Sequence, residues 1–421
     1  MNRAIFLDRD GTITKSTDLI TNTKDLEMED NAAEGIKLFN KLGMKVIVVT
    51  NQPQIARGMC TEEDVQKINE KMINDLARLG AKIDRVYYCP HHPEHHADVP
   101  EHAKKYRIVC ECRKPEAGMI KEAARDFSID LSRSFAIGDR TVDTLAGKNA
   151  GCKTIIVKTG YAGLDKKHDV VADYEAKDLL DAAKQIAMDN VSAIILVGGK
   201  GERLGDLTKD VPKPLIPVGG KPVVQHQVEL LRRGGIKKII MCGSYMIDKI
   251  KGYFGNGGEF GVSIKYTDEP EAMGTGGAVK LAKDFVGDTF FVLNGDIALK
   301  NFDFFEIANF HVEKGALVTM ILRDTDHPKD SDVVKIDEDN RVVNFIGKGQ
   351  EQFTTGNTGI FVASKDLFNF IPEGRSNIER DVLSKIYSDE IISGFKIKEG
   401  WIAKDMGTPD RLESVRKMFG D

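Results

Sequence analysis

The chain has 421 residues, 41% of them hydrophobic and 30% charged, with a formal net charge of -5. That length exceeds one ordinary core at ~100–200 residues per domain, and the composition is that of a soluble globular protein. The negative balance gives no electrostatic reason to expect a nucleic-acid or anionic-membrane partner. No apolar run reaches the ~18 residues of a membrane span, and no basic-then-apolar leader opens the sequence. A cytoplasmic protein acting on small molecules is therefore expected.

Residues 5–7 read as a short apolar strand and 32–42 as a helix, with Ile36, Phe39 and Leu42 at helical spacing. Residues 45–50 are a β-branched strand, 63–79 a helix, and 134–137 and 154–157 further strands. Strand and helix in alternation predict a parallel sheet with helices on both faces. Residues 164–190, rich in Lys, Asp and Ala, read as a last helix through Leu179, Leu180, Ala183 and Ile186, followed by a short linker. A fresh strand over 191–197 runs into a glycine-rich turn and opens a second α/β domain. The predicted domains are residues 1–188 and 189–421.

Asp8-Arg9-Asp10-Gly11-Thr12 follows the first strand directly. Side chains just past the carboxyl end of a parallel strand face the ligand crevice. Two carboxylates one residue apart there suit a nucleophile and a general acid/base, with a divalent cation suppressing their repulsion. Thr50 and Asn51 end the next strand with a hydroxyl and an amide, Arg113-Lys114-Pro115 sets a lysine before a helix, and Asp139 follows a later strand. Only a helix and a strand fit between Asp10 and Thr50, which leaves no room for an inserted cap domain.

Six cysteines are too few for a disulfide scaffold in a chain this long. Cys89 and His91, then Cys110 and Cys112, form two short pairs of soft ligands able to close a tetrahedral structural Zn²⁺ site. Cys60, Cys152 and Cys242 fit buried free thiols, and His92, His95 and His96 fit ordinary loop residues.

The order DxDGT, then Thr50-Asn51, Lys114 and Gly138-Asp139 resembles the four motifs of the haloacid-dehalogenase (HAD) phosphatase superfamily over about residues 1–165. The resemblance implies that Asp8 becomes an aspartyl phosphate and that Asp10 protonates the leaving oxygen and then activates water. It places Mg²⁺ on Asp8, the main chain of Asp10, and Asp139, with Thr50, Asn51 and Lys114 around the phosphoryl group. The cysteine-bearing loop narrows the likeness to heptose-bisphosphate and histidinol-phosphate phosphatases. By the same likeness Arg57 and Arg113 grip a second phosphate or substrate hydroxyls.

In the second half, Gly198, Gly199 and Gly201 let backbone amides approach phosphates and a base, and Arg203 adds charge at the β/γ end. Val211-Pro212-Lys213-Pro214 and Gly219-Gly220-Lys221-Pro222 follow at close range. The pairing resembles the sugar-1-phosphate nucleotidyltransferases over about residues 191–415, which implies a Rossmann-like domain with a mixed sheet. On that likeness Lys213 draws the two phosphates together, and Gly274, Thr275 and Gly276 lie against the base. Asp296 and Asp405 hold Mg²⁺, while Asn357, Glu379 and Lys348 contact the sugar phosphate. Lys348 stands in Gly347-Lys348-Gly349, where the family's glutamate is replaced by Gly347.

The expected fold is therefore α/β in two domains, a capless HAD-like phosphatase followed by a nucleotidyltransferase. The substrates expected are sugar phosphates and a nucleoside triphosphate, and a homo-oligomer is compatible with the sequence. Heptose chemistry joins the halves: a 7-phosphate removed from a manno-heptose 1,7-bisphosphate, then nucleotidyl transfer to the 1-phosphate. GMP transfer follows from the resemblance to heptose-1-phosphate guanylyltransferases. A histidinol-phosphate-type phosphatase fused to a mannose-1-phosphate guanylyltransferase, or to a UTP- or dTTP-using enzyme, is the alternative. A metabolite sensor with one inactive head is the alternative of a different class. It fits less well, because Asp8, Asp10, Asp139, Asp296 and Asp405 are all present.

Overall fold

A computed structural model describes residues 2–15, 19–93, 99–269, 271–325, 332–347, 355–389 and 391–420. The chain divides into two compact units, Met1–Ile186 and Ala187–Asp421.

The first unit is built on six parallel strands: β1 (Ala4–Leu7), β2 (Lys45–Asn51), β3 (Arg85–Cys89), β4 (Phe135–Gly138), β5 (Lys153–Val157) and β6 (Tyr174–Ala176), in the order β3-β2-β1-β4-β5-β6. Helices α1 (Ala32–Lys41), α2 (Glu62–Arg78), α3 (Gly118–Phe127), α4 (Thr141–Ala150) and α5 (Leu179–Met188) cover it. Alternation along each strand decides which helix packs where. Ile5, Leu7, Val46 and Val48 face α1, α2 and α5 through Ile36, Phe39, Met72, Leu76, Leu179 and Ala183. Ala4, Phe6, Ile47 and Val49 face α3 and α4 through Met119, Ile120, Ala123 and Ala146.

Two strands escaped the periodicity. The strand β3 was not expected, and β6 lies inside the stretch read as helix and linker. Three residues with two polar neighbours carry little β signal. Edge pairing to β5 and the Asp173 carboxylate, which accepts from the Thr154 N–H and Oγ1 at 2.8 Å each, hold β6 in place.

The second unit is a mixed sheet of nine strands among the described residues. In chain order its strands are β7 (Ser192–Leu196), β8 (Lys238–Gly243), β9 (Ser263–Asp268), β10 (Thr289–Asn294), β11 (Val318–Asp324), β12 (Val333–Ile336), β13 (Val342–Gly347), β14 (Thr355–Ser364) and β15 (Ile392–Lys396). Strands β9, β8, β7 and β10 are parallel neighbours in that order; β14 joins β10 antiparallel and carries β11 and then β15. Ala193, Ile195, Met241, Phe291 and Leu293 pack beneath the helices Val223–Arg233 and Phe304–Lys314. Ile194, Ile240, Phe290 and Val292 pack beneath Gly274–Leu281 on the other face. A separate ribbon pairs Ile297–Lys300 with Ile402–Asp405 antiparallel. Among the described residues no helix is long and apolar enough to cross a membrane.

Candidate active sites

In each unit the strand order reverses beside the first strand, and ligands of open α/β sheets bind at that point beyond the carboxyl edge. Asp8 leaves β1 and Asp139 leaves the adjacent β4. Asp143, in the first turn of α4, joins them, and the ligand oxygens of these three buried carboxylates lie within 4.8 Å of one another. A side chain at Gly138 would run into the Asp143 carboxylate, and one at Gly11 would meet Asp139 Oδ2 at 2.5 Å, so both turns need glycine. Asp143 lay in view in the sequence without a role; its spacing of four from Asp139 matters only once a helix starts between them.

Lys114 Nζ lies 2.5 Å from Asp8 Oδ1, 2.6 Å from Asp143 Oδ1 and 2.8 Å from the Val49 carbonyl. Asn51 fastens that lysine: its Nδ2 donates to the Lys114 carbonyl at 3.0 Å, and the Lys114 N–H donates back to Asn51 Oδ1 at 3.0 Å. Burial works against the Lys114 charge, but Asp143 and Asp8 outweigh it and raise its pKa. Burial pushes Asp8 up to about 7 against the pull of Lys114. Burial likewise lifts Asp139 to about 8, with Asp8 and Asp143 adding repulsion. Asp139 Oδ2 accepts the Tyr161 N–H at 2.7 Å, while its buried Oδ1 has no hydrogen-bond partner among the described residues. Three crowded carboxylates and one unmatched oxygen fit a hard divalent cation.

Asp10 is held differently. Its Oδ1 accepts from Arg9 Nε at 2.8 Å, and its Oδ2 accepts from Arg9 Nη2 and Gln52 Nε2 at 2.9 Å each. Gln52 also donates to Thr50 Oγ1 at 2.9 Å. Arg9 and Gln52 are wholly buried, and neither was singled out from the sequence. Thr50, Asn51, Arg113 and Lys114 line the same cavity of about 220 Å³ as Asp8 and Asp10. Arg57 is exposed and stands outside that lining.

Cys89 ends β3, and the chain returns with Cys110 and Cys112 just before Lys114. The thiols of Cys89, Cys110 and Cys112 are 3.2–3.5 Å apart, and His91 Nδ1 is 3.2 Å from Cys112 Sγ and 3.7 Å from Cys89 Sγ. Three thiols and one imidazole gathered this closely fit a tetrahedral soft-ligand site. Arg113 Nη1 donates to the His91 carbonyl at 3.0 Å, tying this cluster to the cavity wall. Cys60, Cys152 and Cys242 are buried and unpaired by disulfide. His95 and His96 lie outside the described residues.

In the second unit Gly198 and Gly199 follow β7 and line a cavity of about 300 Å³ with Gly274, Thr275, Lys213 and Asp296. Gly201 adopts a left-handed φ of 68° and starts the turn Glu202–Thr208 that carries Arg203. Lys213 Nζ forms an ion pair with Asp296 Oδ2. The ribbon register Ile297↔Asp405, with the Met406 N–H donating to the Asp296 carbonyl at 3.2 Å, brings the segments of the two aspartates together. A Cβ on Gly407 would meet Asp405 Oδ1 at 2.9 Å, an Arg203 nitrogen at 3.0 Å and Lys213 Nζ at 3.5 Å, so these three side chains converge there. Arg411 Nη1 contacts both Asp405 oxygens at 3.1 and 3.2 Å. Although burial favours the neutral acid, the Gly407 N–H and Arg411 keep the Asp405 pKa low. Two carboxylates on paired chain segments suit a divalent cation.

Gly276 donates its N–H to the Ser376 carbonyl at 2.8 Å and sits beneath that residue rather than in the cavity wall. Thr275 Oγ1 accepts the Ile378 N–H at 2.9 Å and lies 3.4 Å from Glu379 Oε2. Asn357 is on β14, its Oδ1 accepting the Gly359 N–H at 3.0 Å; neither Asn357 nor Glu379 lines the cavity. Lys348 lies outside the described residues. Glu269, just past β9, does line the cavity and was not anticipated.

Known proteins resemble each unit separately. Residues 192–419, more than half of the chain, match the nucleotidyl transferase family model, and residues 111–182 match a HAD-hydrolase-like model. A mannose-1-phosphate guanylyltransferase of Mycobacterium tuberculosis is 34% identical over 53% of this chain, which spans only 63% of that protein. Two proteins of Photorhabdus laumondii subsp. laumondii match about as closely as each other. Its D-glycero-beta-D-manno-heptose-1,7-bisphosphate 7-phosphatase is 40% identical over 37% of this chain and 81% of its own length. The corresponding alpha-anomer phosphatase is 38% identical over 38% of this chain and 84% of its own. The chain thus belongs to the nucleotidyl transferase family through its second unit and to the HAD-like heptose-bisphosphate phosphatases through its first, and one polypeptide carries both a phosphatase and a nucleotidyltransferase.

Proposed function

We propose that the chain makes a nucleotide-activated heptose in two steps, removing the 7-phosphate of D-glycero-D-manno-heptose 1,7-bisphosphate and then transferring GMP from GTP to the remaining 1-phosphate. The observation that carries the reading is that each unit brings carboxylates and a lysine to its own crevice: Asp8, Asp139 and Asp143, with oxygens within 4.8 Å of one another, around Lys114, and Asp296, ion-paired with Lys213, beside the chain segment of Asp405. A degenerate sensor would not keep both.

In the first step Asp8 attacks the 7-phosphorus, forming an Asp8 Oδ–P bond as the sugar P–O bond breaks. Asp10 gives its proton to the departing sugar oxygen and then takes one from the water that hydrolyses the aspartyl phosphate. Lys114, Thr50 and Asn51 steady the equatorial oxygens. In the second step the sugar phosphate attacks the α-phosphorus in line and pyrophosphate leaves, with Lys213 and Arg203 drawing the anions together. When bound, divalent cations at Asp8, the Asp10 carbonyl and Asp139, and at Asp296 and Asp405, supply charge screening. Zn²⁺ on Cys89, His91, Cys110 and Cys112 would have a structural role.

Glu269 supports guanine. The register Asn294↔Leu196↔Cys242↔Thr267 crosses four parallel strands, and Asp296 and Glu269 each lie two residues beyond it. At ~4.8 Å per strand they stand roughly 14 Å apart along the crevice. A carboxylate this far from the cation-fitting Asp296 has no cation to screen it from phosphates, so on this reading Glu269 serves the base. There it accepts only, and guanine offers two adjacent donors on one edge. Glu269→Gln should lower GTP use relative to UTP about tenfold or more.

The deciding experiment supplies the purified chain with Mg²⁺, heptose 1,7-bisphosphate and each nucleoside triphosphate in turn, following orthophosphate and pyrophosphate. Nucleotidyl transfer leaves the C1–O bond intact, so the anomer accepted first must be the one consumed second. The likeness to mannose-type guanylyltransferases favours α. Release of the 1-phosphate, or faster use of histidinol phosphate, would sink the reading.

A further inference from the structure

We propose that Arg411 keeps the second unit's carboxylates from holding a divalent cation by themselves, so that the cation enters that crevice only together with the nucleoside triphosphate. This rests on the assignment of Asp405 to the cation made above, and is independent of which sugar and which base are used.

The two crevices are charged differently. In the first, the oxygens of Asp8, Asp139 and Asp143 lie within 4.8 Å of one another, and Lys114 contacts Asp8 and Asp143. Three carboxylates against one contacting ammonium leave an excess of negative charge, which attracts a cation with no substrate present. In the second, each carboxylate assigned to the cation already faces a basic side chain. Asp296 pairs with Lys213, and Arg411 Nη1 lies 3.1 and 3.2 Å from the two oxygens of Asp405. The Gly407 N–H donates to Asp405 Oδ1 at 3.0 Å, and an Arg203 nitrogen and Lys213 Nζ converge on Gly407 beside it. A divalent cation arriving alone meets a set with no surplus negative charge and must take Asp405 from Arg411.

Helix chemistry gives no reason for an arginine at this place. Thr408 caps the helix Pro409–Phe419, and its Oγ1 accepts the Arg411 N–H at 3.5 Å, so Arg411 stands in the first turn. The helix dipole disfavours a cation there, and a Glu or Gln at that position would serve the cap better. Pairing with Asp405 offsets this cost, and with side chains only 19% and 31% exposed the pair is weakly screened by water. The triphosphate brings the negative charge that the crevice lacks, and its oxygens offer a planar partner to a guanidinium displaced from Asp405. Cation and nucleotide then strengthen each other's binding.

The test titrates Mn²⁺, in place of Mg²⁺, into the nucleotide-free full chain and reads free Mn²⁺ by electron paramagnetic resonance. The wild type should bind one Mn²⁺ tightly, lost in Asp8→Asn. Arg411→Met should tighten a second Mn²⁺ about tenfold or more, and Arg411→Met/Asp405→Asn should lose it again. Arg411→Lys, which keeps the charge, should remain at one. An unchanged thermal midpoint checks that each variant folds, with Arg411→Gln replacing Arg411→Met if it does not. Two tight sites in the wild type, or a single one in folded Arg411→Met, overturn the proposal. Pyrophosphate release by Asp405→Asn separates the two failures. A full rate there removes Asp405 from the cation and the assignment falls with the proposal, whereas a lost rate beside a single site in Arg411→Met refutes Arg411 alone.

Discussion

Arg9 and Asp10, adjacent in sequence, form a two-point ion pair, with Nε to Oδ1 at 2.8 Å and Nη2 to Oδ2 at 2.9 Å. The arginine side chain is completely buried, whereas the aspartate keeps 16% of its side-chain exposure. The two partners therefore stand to lose unequally. Asp10→Asn leaves a buried guanidinium short of a carboxylate, which costs on the order of 3 kcal/mol. Arg9→Met leaves a partly solvated carboxylate still bonded to Gln52 and should cost less. Urea unfolding of the first unit in the two variants checks the order; a reversed order would show that Arg9 is not held mainly by this pair.

The cysteine cluster predicts one zinc per chain. Cys110→Ser should abolish it and destabilise the first unit while leaving nucleotidyl transfer intact, since the site closes a segment with few apolar residues of its own. Elemental analysis of chelator-free protein decides the matter, and a metal content near zero contradicts it.

Separation of the two activities should be reciprocal. Asp8→Asn should abolish orthophosphate release and spare pyrophosphate release from a supplied sugar 1-phosphate. Lys213→Ala or Asp296→Ala should do the opposite, each costing ~3 kcal/mol at the transition state, roughly a hundredfold in rate. Steady-state assays of both products on each variant provide the check. Loss of both activities from any one substitution would show that the heads are not independent.

A pH dependence follows from His311, which is buried in the second unit with Nδ1 2.9 Å from Thr319 Oγ1. Burial lowers its pKa from 6.5 to about 4. Between those values the unfolded chain binds the proton and the folded chain does not, so this stability is complete above 6.5 and is lost as pH falls towards 4. The full difference is about 3 kcal/mol. Urea midpoints of the second unit between pH 7.5 and 4.5 should fall, and His311→Gln should flatten that slope.

Strand-then-acid patterns were readable from the chain alone because an apolar run ending at Asp8, Asp139 or Asp296 is local information. The alternation Ala4, Phe6 against Ile5, Leu7 likewise predicts a sheet covered on both faces before any contact is known. Cys89, His91, Cys110 and Cys112 were readable because soft ligands in two close pairs are rare without a metal. What needed tertiary structure were the partners brought in from far along the chain. Asp143 enters the Asp8 cluster only because β4 lies beside β1; Gln52 meets Arg9 because β2 pairs beside β1, and Asn69, which accepts from Arg9 Nη1 at 2.9 Å, only after α2 packs on the sheet. Glu269 shares a cavity with Asp296 because their strands lie in one sheet with two strands between them, although the residues are 27 positions apart in sequence. Lys167 and His168 join the cavity of Asp8 because Asp165 and the His168 N–H bond back to Thr141. Side-chain chemistry is written residue by residue, but which groups share a cavity depends on strand order and register, and those are settled by the burial of both sheet faces at once.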